Sequence, residues 1–406
     1  MSSGVRSSWP ALALLFVAMG VIVFFYIVGY EAGWRYWNVP TISPPFADLR
    51  SLTHGARTAE MGLDPMIENP ADPWRRPLNY PRIWQVLYAL GLRAEHSVWL
   101  AVAFVSSFFL GLVFLVRDEP ASTTALVAIA ALSPSSMLGI ERANTDLLMF
   151  FLVALAAVFA SNRRVLSALI ISIGTLLKLY PLFSALAWLQ AGRSGMVWRA
   201  LGIAILTMLY VLFTWEDLKL IAGNTPGGTG LSYGTNVLWS SLAKSSPMAG
   251  ILIGVSSYAI VVSVLIFSVV SAGRRGAQKN LQAVSLRFSF FLAGAGVYLG
   301  TFLIGNNWNY RLVFLILCIP QLSEWVRARD GLNSVLSWVV LTAIFVSMWY
   351  WIGLRSVYHP GEPDLLLFFL GQVAQWVVFS GLCIFVAEGM MASVSADRRG
   401  SKKGPE

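Results

Sequence analysis

The chain has 406 residues, 57% of them hydrophobic and only 12% charged, with a mean hydropathy of +0.67. Soluble domains carry about 25% charged residues, so lipid is expected to be the main solvent, with no room left for a separate soluble catalytic domain. The net charge of +9 sits in short Lys/Arg clusters between apolar runs rather than on one amphipathic face, which argues for topology signals and against a nucleic-acid partner.

Apolar runs able to span a bilayer, roughly 20 residues each, are expected at 10–30, 97–116, 122–140, 146–160, 165–190, 198–214, 250–272, 284–304, 310–326, 333–353 and 364–388. The first is longer than a signal-peptide core and lacks a small-residue cleavage site, so it reads as a retained signal anchor. A long loop, 31–96, follows, holding Trp34, Trp37, Trp74 and Trp84 with seven acidic and seven basic residues. Within it, 48–57 is expected to be a short helix, with Asp48 near its start after Pro44-Pro45 and Gly62 at its end. Leu49, Leu52, Ala56 and Ala59 would share one face, which predicts a helix lying on the membrane surface.

The fifth run carries Lys178-Leu179-Tyr180-Pro181 in its middle, and a charge followed by proline is expensive at membrane depth unless it lines a polar cavity. If this run breaks at Lys178 into two half-spans, every strongly basic short loop, including 273–280 with Arg274, Arg275 and Lys279, falls on one side. The expected fold is therefore an all-α integral membrane bundle of about twelve segments with both termini cytoplasmic. A second long loop, 215–249, contains Gly223-Asn224-Thr225-Pro226-Gly227-Gly228 and reads as mobile. Residues 1–390 form one membrane domain and 391–406 a cytoplasmic basic tail, disordered from Asp397 onward.

Ionisable residues in or beside spans are functional candidates by default, and three groups stand out. They are Asp48 with His54; the polar knot Glu141-Arg142-Ala143-Asn144-Thr145-Asp146; and Lys178-Leu179-Tyr180-Pro181 with Asn306-Asn307-Trp308-Asn309-Tyr310-Arg311. All fall on the same expected extracytoplasmic face. A carboxylate among cations and aromatics there could hold an anionic lipid-linked sugar and activate an acceptor hydroxyl. No Gly-rich phosphate loop and no Asp-x-Asp pair occurs, and Cys318 and Cys383 lie inside apolar runs, so no metal or cofactor is expected.

The order Asp48, Gly62-Leu63-Asp64-Pro65, Asn79-Tyr80-Pro81, the Glu141 to Asp146 knot and Lys178-Leu179-Tyr180-Pro181 resembles glycosyltransferase family 87 of the GT-C superfamily, over about residues 46–183. Members of that family include α-mannosyltransferases that use polyprenyl-phosphate-mannose. The resemblance implies a GT-C-like bundle with a large first extracytoplasmic loop in the inner (plasma) membrane. It also implies inverting transfer of a hexose, mannose first, from a polyprenyl-phosphate donor to a glycolipid or polysaccharide acceptor. Asp48 would match the catalytic base. Lys178 and Arg142, with Arg311 and His54 behind them, would meet the donor phosphate. Asn79, Tyr80, Glu141, Asn144, Asp146, Tyr180 and Asn309 would line the sugar or acceptor site. The chain departs from the family pattern at Met66, where an aromatic commonly follows the Gly-x-Asp-Pro element.

Each assignment has a structural rival. Asp48 also fits a helix cap, Glu141, Arg142 and Asp146 an internal salt-bridge knot, and Lys178 a side chain snorkelling to the interface. His54 fits an ordinary surface histidine, and Asn309 and Arg311 interfacial anchors. At the level of function, a secondary transporter or flippase also accommodates a broken helix with membrane-depth charges, although no internal symmetry between halves is visible. A lipid-diphosphate-dependent polymerase or ligase and a non-catalytic scaffold are further alternatives.

Overall fold

A computed structural model describes residues 9–191, 193–227, 230–237, 246–275, 285–329, 331–354 and 364–400. The chain is built of helices, in the manner of a multi-pass membrane protein. In order they are α1 (Trp9–Val28), α2 (Tyr30–Tyr36), α3 (Ala47–Glu60), α4 (Val86–Ala89), α5 (Ser97–Val116), α6 (Ala121–Ala131), α7 (Pro134–Arg142), α8 (Asp146–Phe159) and α9 (Arg164–Leu177). There follow α10 (Arg193–Phe213), α11 (Trp215–Asn224), α12 (Pro247–Arg275), α13 (Leu286–Ile304), α14 (Ile319–Ala328), α15 (Gly331–Trp349) and α16 (Leu365–Gly400). Among the described residues, six helices are long and apolar enough to cross a membrane, or up to eight spans if each of two bent pairs counts as one.

The bends have local causes. Between α6 and α7 the chain turns by 54° at Ser133, whose hydroxyl accepts from Ser136 N, with Pro134 opening the new helix where no N–H is needed. Helices α10 and α11 meet at 79°. The fifth apolar run does break at Lys178: α9 ends at Leu177, Lys178 is extended, and the chain resumes as a 3-10 helix over Tyr180–Ala191. Helices α8 and α9, 14 residues each, reach only about 21 Å at 1.5 Å per residue, so neither crosses about 30 Å of hydrocarbon by itself.

Helix α13 is the axis of the bundle: its apolar window is 78% buried, against 6% for α1, which presents its side chains outward. Two long 3-10 segments, Tyr180–Ala191 and Asn309–Cys318, pack against it. Glycines admit them so closely that a Cβ at Gly296 would stand 2.1 Å from Phe183 O and one at Gly294 2.5 Å from Phe314 O. Close backbone approach over small residues is how helices associate when lipid offers no hydrophobic gain.

The first long loop departs from its expected placement. Helix α3 begins at Ala47 and ends before Gly62, which turns with φ +80. Its apolar face is covered by protein rather than lipid: Leu49, Leu52 and Ala56 are buried while Ala59 is exposed. Polar residues tie it in on other sides, through Thr53 to Ser97 (2.7 Å), Thr58 to Asn69 (2.6 Å) and the Tyr88 hydroxyl to Leu52 O (2.9 Å). These long-range partners are what amphipathicity alone could not reveal.

The second long loop is also structured where it is described. Residues 215–224 form α11, including Gly223 and Asn224, and Ser232–Tyr233 (β1) pairs antiparallel with Asn307–Trp308 (β2). Gly228 lies outside the described residues, as do 276–280 of the basic loop and 401–406 of the tail. From Asp397 to Gly400, the part of the tail that is described, the backbone continues α16.

Candidate functional site

The polar knot is a hinge between two helices with no loop. Ala143 closes α7 with a left-handed φ of 45 and is fully buried, a backbone state that costs a non-glycine residue free energy and clusters at functional sites. This turn presents Asn144, whose Oδ1 accepts from Asp146 N (2.9 Å), so Asp146 starts α8 pointing into the bundle.

Asp146, 1% exposed, is the hub. Its Oδ1 accepts from Lys178 Nζ and from the Tyr180 hydroxyl (2.7 Å), and its Oδ2 from Arg311 Nε (3.1 Å). Lys178 also donates to Thr145 Oγ1 (2.9 Å) and Asn144 Oδ1 (3.3 Å). Arg311 stacks over the Tyr180 ring at 4.5 Å, and Lys178 Nζ stands 5.4 Å from the Tyr80 ring centroid. Lys178 therefore does not snorkel outward, and Arg311 is no interfacial anchor.

Asp48 joins this hub from the first long loop. The left-handed residue Phe46, not Asp48, caps α3, and Arg50 Nε holds Pro45 O at 2.7 Å. Asp48, half-buried between the fully buried Ala47 and Leu49, accepts from Asn144 Nδ2 through Oδ2 at 2.6 Å. Among the described residues its Oδ1 accepts no hydrogen bond. Below it, the Asp72 carboxylate grips Arg76, whose guanidinium reaches Ala47 O at 2.5 Å, fixing the first turn of α3 from behind.

Several expected site residues stand beside the hub rather than in it. Glu141, fully buried, pairs with Arg142 (2.6 Å) and accepts from Ile42 N (3.2 Å), while Arg142 donates to Pro40 O (3.0 Å); the pair anchors the first loop to α7. The internal salt-bridge reading thus holds for Glu141 with Arg142 and also for Asp146, whose partners are Lys178 and Arg311 from other elements. Asn309 donates to the Tyr350 hydroxyl (3.0 Å), and among the described residues its buried Oδ1 has no partner. His54 turns away, toward Arg50 O (3.1 Å). Burial first and the nearby Arg50 second hold its pKa below the usual imidazole value. Asn79 is half-buried beside Tyr80. The Tyr80 phenol is pushed well up by burial and then by the charges of Asp48 and Asp146, so it stays neutral.

Three contributors, Thr145, Asn307 and Tyr310, lie within the candidate groups but have no role of their own from the sequence, and Arg76 is not singled out. Asn307 accepts from Arg311 Nη1 and is itself fixed by Thr301 O (2.6 Å) and by the β1–β2 bridge. Its signal, the Asn306-Asn307 pair, was available; its partner strand 75 residues away was not. Around the hub the second loop is stitched to the first by Arg82, which binds Asp217 (3.0 Å) and Asp64 (2.9 Å), and by Asn224 Nδ2 to Met66 O (2.8 Å). Among the described residues no group of three or more His, Cys, Asp or Glu is placed to hold a metal ion.

Chemically, the arrangement offers one carboxylate satisfied by two cations and a phenol, and a second with one oxygen that no described residue engages. The two cations, Lys178 and Arg311, stand against two carboxylates, Asp146 and Asp48, so their formal charges balance. Compared with known proteins, the sequence matches no family model and no curated protein.

Proposed function

We propose that this chain is a membrane glycosyltransferase that moves a hexose, mannose first, from a polyprenyl-phosphate donor to a hydroxyl of an extracytoplasmic glycolipid or polysaccharide. In this reading the bundle is GT-C-like and lies in the plasma membrane with both termini cytoplasmic. Its roughly twelve segments are the long helices, the bent pairs, the short α8 and α9, and the two 3-10 segments.

The observation that carries the reading is the division of labour between two carboxylates. Asp146 is occupied by Lys178, Tyr180 and Arg311, whereas Asp48 is held by a neutral amide and, among the described residues, keeps Oδ1 unengaged. Asp48 then takes the proton of the acceptor hydroxyl. The acceptor oxygen bonds to the anomeric carbon from the face opposite the phosphate, and the configuration inverts. The bond from that carbon to the phosphate oxygen breaks, and its electron pair leaves with the polyprenyl phosphate. Lys178 and Arg311 meet the charge that develops there, which is the main lever available in a low-dielectric site. Tyr80 and Tyr180 supply aromatic walls. Arg142, tied to Glu141, is the less available cation.

The test is transfer of radiolabelled mannose from synthetic polyprenyl-phosphate-mannose into lipid acceptor by the purified protein, beside Asp48→Asn. Incorporation by the wild type, lost in the variant at equal yield, supports both class and base. Normal turnover in the variant sinks the mechanism. If mannose, glucose and arabinose donors all fail, the carrier reading, favoured by the charged break at Lys178, takes first place.

A further inference from the structure

We infer that Asn144 is a positioning residue that couples the donor-side cation Lys178 to the base Asp48, so that Asp48 is aimed at the acceptor only when the cation end is assembled. The inference rests on the transferase reading for its catalytic meaning and on geometry for the coupling itself.

The side-chain amide of Asn144 is 2% exposed and engaged at both ends. Its Oδ1 accepts from Lys178 Nζ (3.3 Å) and Asp146 N (2.9 Å); its Nδ2 donates to Asp48 Oδ2 (2.6 Å). The two acceptor contacts fix which way the amide faces, because a flipped amide would point its N–H groups at Lys178 and at Asp146 N, both donors. The N–H is therefore directed at Asp48, and a hydrogen bond to the charged form of a carboxylate favours that form. One oxygen is held, so the other is presented. Polarisation runs the same way: a cation on the amide oxygen makes the amide N–H a stronger donor.

The titratable and charged groups facing Asp48 are Lys178, Glu141, Tyr80 and Tyr310, with Arg76 behind at Ala47 O. Glu141 is engaged by Arg142 and Ile42 N, and Arg76 by Asp72. Asn144 is the group that contacts both Asp48 and Lys178.

Asn144→Asp separates positioning from scaffolding. It keeps the Oδ1 acceptor for Asp146 N and Lys178, and so keeps the start of α8, but replaces the donor to Asp48 with a second carboxylate oxygen at hydrogen-bond distance. Two carboxylates that close cannot both ionise. The measurement is carbodiimide labelling of Asp48, which reports its protonated fraction, followed by peptide mass spectrometry across the carboxylate titration range in wild type, Asn144→Asp and Asn144→Ser. The expected result is a labelling midpoint raised by at least about one pH unit in Asn144→Asp. In parallel, kcat for sugar transfer should fall by about 10²-fold or more with donor KM changed less than about threefold.

An unmoved midpoint in Asn144→Asp overturns the inference whatever the activity. So does a loss of rate that merely follows the yield of folded protein. A shifted midpoint in a protein whose wild type transfers no sugar supports the coupling and refutes the transferase reading, so the two failures are told apart.

Discussion

Replacing Asp146 by Asn should destabilise the protein far more than replacing Asp48, although the two carboxylates lie in one cluster. Asp146→Asn removes the counter-charge from Lys178 and Arg311, whose side chains are only 15% and 17% exposed. An amide of the same shape can still accept from one partner but neutralises neither. Leaving buried charge uncompensated costs about 3–5 kcal/mol, an appreciable share of the 5–15 kcal/mol that holds a typical domain. Asp48→Asn leaves an amide oxygen that can still accept from Asn144 Nδ2 at a half-buried position, so it costs no more than about 1 kcal/mol. The assay is thermal and denaturant unfolding in nanodiscs of both single variants, with a cycle through Asp146→Asn/Lys178→Met. Removing one orphaned cation should restore about 1–3 kcal/mol relative to the sum of the singles. Equal stability of Asp146→Asn and wild type, or strict additivity in the cycle, would refute the assignment of Asp146 as the structural hub.

Gly296→Ala should cost about 1–3 kcal/mol or shift the 3-10 segment, since its Cβ would meet the backbone at Phe183 O rather than a flexible side chain; unfolding midpoints check this. The Arg82 clasp should weaken in acid. Burial works to raise the Asp64 pKa, but the hydrogen bonds from Arg82 and Met66 N prevail and hold it below the usual carboxylate value. Its contribution is therefore present above the unfolded pKa, about 3.9, and is lost as pH falls through the lower folded value. Hydrogen exchange in α11 should accelerate over that window, and Arg82→Ala should reduce the pH dependence at Asp64 to the part that Met66 N supports. His54→Ala should leave transfer within about twofold, because its ring faces Arg50 O; a loss of more than about tenfold would return His54 to the site.

The breaks and the polar anchors were legible because each violates a local rule. A lysine followed by proline cannot continue an apolar helix, and five polar residues within the six between two apolar runs have nowhere to go but a shared cavity. Convergence of Asp48, Asn144, Asp146, Lys178, Tyr180 and Arg311 followed from sidedness alone. What pairs with what did not: Asp48 and Asp146 look alike in sequence, and only the fold gives one two cations and the other an amide. His54 was misjudged for a reason periodicity does contain, since six residues along α3 turn the side chain about 240° from Asp48. The order in the second loop rests on β1 meeting β2 across the chain, and no local pattern announces such a pairing.

The two 3-10 segments have a mechanical consequence. Twelve residues from Tyr180 to Ala191 extend about 24 Å at 2.0 Å per residue, where an α-helix would cover about 18 Å. Every third side chain falls in one column, so Tyr180, Phe183 and Leu186 line up on one face, as do Arg311, Phe314 and Leu317 on the other segment, and the columns touch where Tyr180 meets Phe314 edge-on at 5.5 Å. Each segment is thus a stretched rod bearing a functional group at its tip. Rewinding the first into an α-helix would retract that tip by about 6 Å and rotate every later residue out of its column, so the reach of Tyr180 to Asp146 is a property of helix pitch.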